Sequence, residues 1–376
     1  MADRGRLLEV TRLFLRLGAT SFGGPAAYIA IMEDEVVTRR KWLERRDFLD
    51  LLGATHLLPG PNATEMAIHL GYRRAGVPGL VAAGVAFILP AALITGVVAA
   101  LYVRAGRLPA VDGILHGVKP VVLMVVLQAL IRFGRTTLKT RSAWALGLAC
   151  AAASALGVHE LAVLGAAGLA AAAWRRAAPG AALASLVPFS AVLGGMTAAG
   201  AEPGALDKVF LVFLKIGAVL FGSGYVLLAF LRSDVVVRYG WLTEGQLLDA
   251  IAVGQVTPGP VFSAATFVGY LVAGPGGAAA ATVGIFLPSF LFVAASGPIV
   301  ARIRRSPAAG ALLDGVNVAS LALMAVVTAQ LARGAVTDVP SAVLALSAFL
   351  LLRHGLSSSW VVLGGALAGG LLALSA

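Results

Sequence analysis

The sequence predicts an all-α polytopic membrane protein with two homologous halves that form an inverted repeat, each with a broken, re-entrant helix that carries Pro-Gly-Pro. The 376 residues are 59% hydrophobic and only 12% charged, about half the charged fraction of a soluble domain. Their mean hydropathy is +0.91. Apolar runs long enough to cross a bilayer recur along the chain, whereas the alternating segments of a β-barrel are absent from the sequence. These observations predict membrane-spanning helices.

The second half of the sequence repeats the first. Pro59-Gly60-Pro61 recurs at an offset of 199 positions as Pro258-Gly259-Pro260, and beyond these triplets the offset becomes 198. We therefore predict an N-terminal repeat (1–176), a linker that includes an extra span (177–206) and a C-terminal repeat (207–376). Matched pairs, called mates below, include Gly18 and Gly217, Trp42 and Trp241, Asp50 and Asp249, Gly71 and Gly269, and Gly117 and Gly315.

The Pro-Gly-Pro triplet interrupts an apolar run in each half. Proline lacks a backbone donor and clashes with the preceding turn, so the triplet cannot continue an α-helix. In hydrocarbon, the freed backbone groups need protein, water or a bound ion as partners. Because the break is made twice in matching positions, we predict a binding site there. The alternative is a pair of kinks that serve only helix packing.

The basic residues predict the orientation of the halves. The amphipathic opening (7–18), the charged loop 33–47 and Arg73-Arg74 all carry arginine, which favours the cytoplasmic side. All three share that side if the first broken segment is a re-entrant hairpin. Spans at 77–101, 110–133, 142–157 and 159–174 then return the chain to the cytoplasm, and a crossing by 180–200 would invert the second half. If the broken segments crossed fully instead, only the 33–47 loop would move outside.

The broken helices predict an anion site. A helix start presents unpaired N–H groups and a partial positive charge, which suits an anion. In an inverted repeat the two starts converge near the midplane from opposite sides. Small polar side chains beside the triplets would add donors. The expected substrate-binding residues at this break are Pro59, Gly60, Pro61, Asn62, Thr64, Thr257, Pro258, Gly259, Pro260 and Ser263.

A second, glycine-rich break precedes each triplet. Glycine lets the backbone approach a ligand closely, although close packing between helices accounts for the glycines equally well. A basic residue lies ahead of each break, and it either attracts the anion or extends to the membrane interface. The expected site residues in this part are Phe22, Gly23, Gly24, Gly222, Ser223 and Gly224, together with the basic residues Arg16 and Lys215.

Glu65, which follows the first triplet, is a candidate for proton coupling; the alternative is a solvated carboxylate that complements the helix dipole. Lys119 lies within a span, but its mate is the neutral Asn317, which argues against a shared role. The single cysteine, Cys150, excludes a cysteine-built metal site. We expect no metal, cofactor or catalytic residue. The basic clusters lie between apolar spans, as the positive-inside rule predicts, and do not indicate nucleic-acid binding.

At the broken helices, the sequence resembles the chromate ion transporter family in its long, two-domain form. The resemblance extends over nearly the whole chain, and its motifs together are specific. They are Phe22-Gly23-Gly24-Pro25, Leu57-Leu58-Pro59-Gly60-Pro61, Gly71-Tyr72, Phe87-Ile88-Leu89-Pro90, Phe221-Gly222-Ser223-Gly224-Tyr225, Gly240-Trp241-Leu242-Thr243-Glu244, Gly254-Gln255-Val256-Thr257-Pro258-Gly259-Pro260, Phe286-Leu287-Pro288-Ser289-Phe290 and Leu313-Asp314-Gly315-Val316-Asn317.

The resemblance implies a multi-pass secondary active transporter that exports chromate across the bacterial inner membrane and confers chromate resistance. Sulfate, an isosteric oxyanion, is a second expected substrate. Ser223 stands where we expect a glycine, and Glu65 stands where the family often has an uncharged polar residue, which weakens a general coupling role for Glu65. The alternatives are a carrier of sulfate or another oxyanion, and an anion channel. The expected partners are the anion and the lipid bilayer, and a homodimer is left open.

Overall fold

In the computed structural model, residues 4–22, 25–105, 109–177, 206–221, 224–304 and 306–375 are described, and within these ranges every regular element is helical. The first repeat contains α1 (Arg4–Thr20), α2 (Pro25–Glu33), α3 (Arg45–Thr55), α4 (Asn62–Ala105), α5 (Pro109–Thr137), α6 (Arg141–Ala155) and α7 (Glu160–Ala177). The second contains α8 (Leu206–Val219), α9 (Leu227–Leu231), α10 (Glu244–Val256), α11 (Ala264–Arg304), α12 (Pro307–Ala335), α13 (Val339–Arg353) and α14 (Ser358–Ser375).

The described helices confirm the predicted all-α membrane fold. Four of them, α4, α5, α11 and α12, are long and apolar enough to cross a membrane, and α7, α13 and α14 contain shorter apolar helices. The spans predicted at 77–101 and 110–133 fall within α4 and α5. The crossing predicted at 180–200 lies outside the described residues. The inverted orientation of the second half therefore stays a prediction.

Residues predicted as charged loops are helical in part. Helix α2 continues into a π-helical segment, Asp34–Arg39, and α9 continues into its mate, Arg232–Arg238. In the first segment, Arg39 and Arg40 donate hydrogen bonds to the Glu35 carboxylate. Charge-assisted bonds of this kind stabilise local structure that hydrophobic periodicity does not reveal.

Helices α4 and α11 fold back on themselves at breaks in the helical backbone, Ala75-Gly76 and Ala273-Gly274. In α4, Gly71 and Gly79 lie so close that a Cβ on either would overlap the carbonyl of the other. In a straight helix, eight residues would separate them by about 12 Å. Each helix therefore has a short arm that begins near the triplet and a long arm that runs back along it.

The first broken segment starts and ends at the same end of the molecule. Glu9 on α1 accepts hydrogen bonds from Trp42, just before α3, at 3.0 Å and from Arg74, at the end of the short arm of α4, at 2.7 Å. Arg40 also pairs with Glu9, at 3.3 Å. The opening, the 33–47 loop and Arg73-Arg74 are thus gathered together, as a re-entrant hairpin made of α3, the triplet and the short arm requires.

The helices form two bodies. The central unit consists of α1–α4 and α8–α11, in which α1 packs on α4, α8 on α11, and α4 on α11. The flanking bundle consists of α5–α7 and α12–α14, in which the halves exchange partners: α5 packs on α14, and α12 packs on α7. Gly117 of α5 packs against Gly365, and its mate Gly315 packs against Ala167, which is the mate of Gly365. Such reciprocal contacts indicate approximate twofold symmetry between the halves.

Candidate functional site

Each Pro-Gly-Pro triplet meets the glycine-rich break of the opposite half. The Gly60 N–H donates to the Leu220 carbonyl at 2.8 Å, and the Gly259 N–H donates to the Ser21 carbonyl at 3.1 Å. Leu220 is the mate of Ser21, so the two hydrogen bonds are equivalent: each half makes the same contact with the other. The described parts of the four breaks, which the sequence predicts separately, therefore lie together at the junction of the two halves.

The glycine of each triplet lies against the long arm of the other half. Gly60 and Gly259 have φ angles of 135° and 92°, which disfavour any residue with a side chain. A Cβ on Gly60 would lie 2.6 Å from the Ser289 Oγ, and a Cβ on Gly259 would lie 2.8 Å from the Ala91 Cβ. Ala91 and Ser289 are mates near the middle of the long arms. The site therefore lies at mid-height of the two long arms.

The two short arms begin differently, and this accounts for the change of offset between the repeats. After the first triplet, the four residues Asn62 to Glu65 are α-helical, whereas after the second the three residues Val261–Ser263 form a 3₁₀ turn. Four α-helical residues and three 3₁₀ residues both rise about 6 Å. The deletion therefore leaves the arms equally long, and it makes Ser263 the mate of Glu65.

Several buried polar side chains lie at these helix starts. The hydroxyls of Thr64 and Ser263 have no hydrogen-bond partner in the described part of the chain, and the Glu65 carboxylate lies beside the Ser289 hydroxyl. The Glu65 side chain is fully buried, and its Oε1 lies 2.5 Å from where a Gly60 Cβ would be. Buried polar groups are normally satisfied, so this group indicates a place where a ligand or a proton binds.

The other residues predicted at these breaks are placed less favourably for binding an anion. The Thr257 hydroxyl donates to the Val253 carbonyl at 2.7 Å, so its proton is already used. The Asn62 amide lies 3.0 Å from the His56 Nδ1. Phe22 is 48% exposed, and Gly224 begins a 3₁₀ turn beside Phe262. Four predicted site residues, Gly23, Gly24, Gly222 and Ser223, lie outside the described residues.

Arg16 and Lys215, predicted as cations for the anion, each form an ion pair. Arg16 pairs with Glu35 at 2.5 Å, and Lys215 pairs with Asp234 at 2.5 Å. Although burial opposes ionisation of Glu35, hydrogen bonds and charges from Arg16 and Arg40 lower the pKa of that carboxyl group. Sequence reasoning missed both acids. The signal was present, because Glu35 and Asp234 are mates at the same spacing from their basic partners.

The two ion pairs differ in exposure. The Arg16 side chain is 51% exposed and lines a cavity of about 510 Å³ with Ser21, Glu35 and Arg39. The Lys215 side chain is only 9% exposed, and Glu160 at the start of α7 lies 3.8 Å from its ammonium nitrogen. Ser21 lies in the cavity and also accepts the Gly259 hydrogen bond. The cavity, which carries two arginines, therefore reaches the first-repeat residue that contacts Gly259.

Membrane-length helices with two symmetry-matched breaks that meet at mid-height are typical of membrane transporters. The chain belongs to the chromate transporter family, whose sequence profile matches residues 8–173 and 208–370. These two matched regions, one in each half, agree with the predicted duplication and confirm the resemblance. The family is a class of transporters, not of enzymes.

Curated relatives match the chain over most of its length. A chromate transport protein of Cupriavidus metallidurans is 34% identical over 96% of this chain and 92% of its own. A chromate transport protein of Pseudomonas aeruginosa is 35% identical over 89% of this chain and 83% of its own. A probable chromate transport protein of Synechococcus elongatus is 31% identical over 94% and 90%. No solved structure matches the chain.

Proposed function

We propose that this protein is a secondary active transporter that exports chromate from the cytoplasm across the bacterial inner membrane and thereby confers chromate resistance. The reciprocal contact of the two triplets carries the proposal, since it makes one site from both halves. A site at the junction of two repeats is where transporters of this architecture bind substrate and alternate its access. The names of the relatives supply chromate as the substrate.

The chemistry of the site supports a tetrahedral dianion. Two helix starts supply a partial positive charge and first-turn N–H groups. The buried hydroxyls of Thr64 and Ser263 have no partner in the described part of the chain and can donate to an oxyanion. Chromate and sulfate share this shape and charge, so sulfate is the alternative substrate of the same site.

Charge differences at matched positions support the inverted orientation. The first-repeat end that holds Arg40 and Arg74 has Tyr239 and Val272 at the matching positions of the second repeat. The pair between Glu33 and Arg45 recurs with its charges exchanged, as Arg232 and Glu244. Because cytoplasmic ends are enriched in arginine, we place the first-repeat end, with its cavity, on the cytoplasmic side.

Uptake into everted membrane vesicles tests the transport proposal. We expect chromate to accumulate when a membrane potential or proton gradient is imposed, and sulfate to compete with it. Saturation and trans-stimulation would support a carrier, whereas ohmic current would support an anion channel. Vesicles that contain the protein but take up no chromate under any imposed gradient would contradict chromate transport.

We infer further that Glu65 takes up a proton when the anion binds. The carboxylate is fully buried beside Gly60, and the polar group that it interacts with there, the Ser289 hydroxyl, is neutral and cannot balance its charge. An anion bound at these helix starts would lie near the negative Glu65 carboxylate with no solvent between them. The two negative charges would repel each other strongly, so one of them must be neutralised. Protonation of Glu65 removes this repulsion, and transport then carries a proton with the anion.

Glu65→Gln is expected to remove most of the dependence of uptake on the pH at the cytoplasmic face. The wild type should take up more chromate as this pH falls, because protonated Glu65 admits the anion, whereas glutamine is neutral at every pH. Chromate itself can take up a proton, so the exposed Glu44→Gln serves as the matched control and should keep the wild-type profile. Parallel pH profiles for the two variants would exclude Glu65 as the proton acceptor.

A further inference from the structure

The central unit and the flanking bundle are each symmetric, but their contact is not. Helix α10 of the second repeat packs against α5 and α14 of the flanking bundle. Its mate α3 would meet α12 and α7 if the contact followed the symmetry. Instead, among the described residues, α3 packs mainly on α4. The asymmetry therefore lies in how the two bodies dock, not within either of them.

Burial of matched side chains shows the same difference. Leu248 on α10 is 2% exposed, whereas its mate Leu49 on α3 is 51% exposed. Gln255 and Asp249 are buried, whereas their mates His56 and Asp50 are exposed. Leu248 and Gln255 are seven residues apart and therefore share one face of α10, and among the described residues the flanking bundle covers this part of the second repeat but not its counterpart in the first.

Polar contacts between the two bodies also involve the second repeat of the central unit. Lys119 of α5 lies 3.8 Å from Asp249, and the Ser359 hydroxyl of α14 donates to the Gln255 carbonyl at 3.2 Å. At the start of α7, Glu160 accepts a hydrogen bond from Ser233 at 2.7 Å. The bundle thus closes the Lys215 side of the central unit, while the Arg16 side keeps its open cavity.

The exposed face of α3 carries the same residues as the buried face of α10. Leu49 and Asp50 lie on it, at the positions that match the buried Leu248 and Asp249. The matching face of α10, with the same leucine and aspartate, is a protein contact. The face of α3 therefore has the chemistry of a docking surface.

We propose that the exposed face of α3 is a second docking surface for the flanking bundle of the same chain. In that arrangement, α12 and α7 would cover α3 as α5 and α14 now cover α10. Repeat mates then place Asn317 opposite Asp50, as Lys119 now lies opposite Asp249. The change is a rigid movement of one symmetric body over the other, which requires no rearrangement inside either.

This second docking would close the cavity beside Arg16 and uncover the Lys215 side of the site. The inference deepens the proposed transport, on which this consequence rests, because exchange between the two docked states gives alternating access. The docking itself can be measured without any substrate. Failure of the docking and failure of chromate transport are therefore distinguishable.

Cross-linking of paired cysteines tests the second docking. All variants carry Cys150→Ala, which removes the single native cysteine. Lys119→Cys with Gly245→Cys reports the observed docking, because the Lys119 ammonium nitrogen lies 3.3 Å from where a Gly245 Cβ would be. The mates Asn317→Cys with Arg46→Cys report the proposed docking. Gly245→Cys with Gly165→Cys is the mismatched control, because α10 and α7 do not pack together among the described residues.

With a short bismaleimide in native membranes, we expect both matched pairs to cross-link several-fold above the mismatched control. Ser359→Cys with Gln255→Cys, and its mate pair Leu161→Cys with His56→Cys, repeat the test without altering Lys119. Cross-linking of only the observed pairs, or of no pair, in protein that still transports chromate would overturn the proposal. Cross-linking of both sets in protein that transports no chromate would support the two dockings and contradict the transport proposal.

Discussion

Gly60→Val and Gly259→Val are each expected to abolish transport while the protein remains in the membrane. Both glycines have positive φ angles, of 135° and 92°, which cost a residue with a side chain about 1–3 kcal/mol. A Cβ on Gly60 would also lie 2.5 Å from the Glu65 Oε1, and a Cβ on Gly259 would lie 3.0 Å from the Gly18 carbonyl oxygen. A cost of roughly 3 kcal/mol to the binding-competent state corresponds to a loss of about 100-fold. Chromate uptake into everted vesicles, normalised to the amount of protein, measures the loss.

Substitutions at two other glycines serve as controls. They distinguish this effect from a general effect of adding valine or of straining the backbone. Gly165→Val on α7 adds its side chain where a Cβ has no heavy atom within 4 Å, so uptake should stay near the wild-type level. Gly274→Ala imposes strain at a φ of 60° with equally open space, and it should reduce uptake much less than either triplet variant. Near-normal uptake by both triplet variants would remove the triplets from the site.

The repeat made much of the site predictable. Pro59-Gly60-Pro61 and its mate can both be located from sequence, because two prolines flanking a glycine must interrupt a helix in an apolar run. The gathering of the opening and Arg73-Arg74 at one end follows from the distribution of arginines, and the contacts of Glu9 agree with it. The residue that each triplet contacts could not be predicted from the sequence. The bond from Gly60 to Leu220 depends on how the two halves pack, not on a local pattern.

The asymmetric docking could not be predicted from a repeated sequence. Leu49 and Leu248 occupy matching positions, and so do Asp50 and Asp249. A duplicated sequence describes both halves in the same way, yet only one leucine of the first pair is buried. These two matched pairs carry no information on which of the two equivalent faces is covered. In this structure the face of α10 is covered. The exposed face of α3 then shows which residues the other docking would bury.

Lys215→Met is expected to destabilise the protein by about 3 kcal/mol, because the buried Asp234 then keeps only the weaker contact with Arg238, at 4.0 Å, among the described residues. Asp234 is 1% exposed and pairs with Lys215 at 2.5 Å, while Glu160 lies 3.8 Å from the same ammonium group. Arg16→Met, at the matching position, should cost no more than about 1 kcal/mol, since exposed pairs contribute little. Glu35 also keeps its contacts with Arg39 and Arg40. Thermal unfolding of the purified variants in detergent compares the two losses.

Adding Asp234→Asn to Lys215→Met separates a structural lysine from one that binds the anion. The double variant removes both charges of this pair, while the buried Glu160 still loses its neighbouring ammonium group, so thermal stability should recover in part toward that of the wild type. If Lys215 only compensates Asp234, chromate uptake should recover with it. Restored stability without uptake would instead show that Lys215 binds the substrate, as its position ahead of the glycine break predicts.

Equal losses of stability in Lys215→Met and Arg16→Met would show that burial does not distinguish the two pairs. The unequal exposure of this matched pair, like that of Leu49 and Leu248, follows from the flanking bundle covering one repeat of the central unit and leaving the other open.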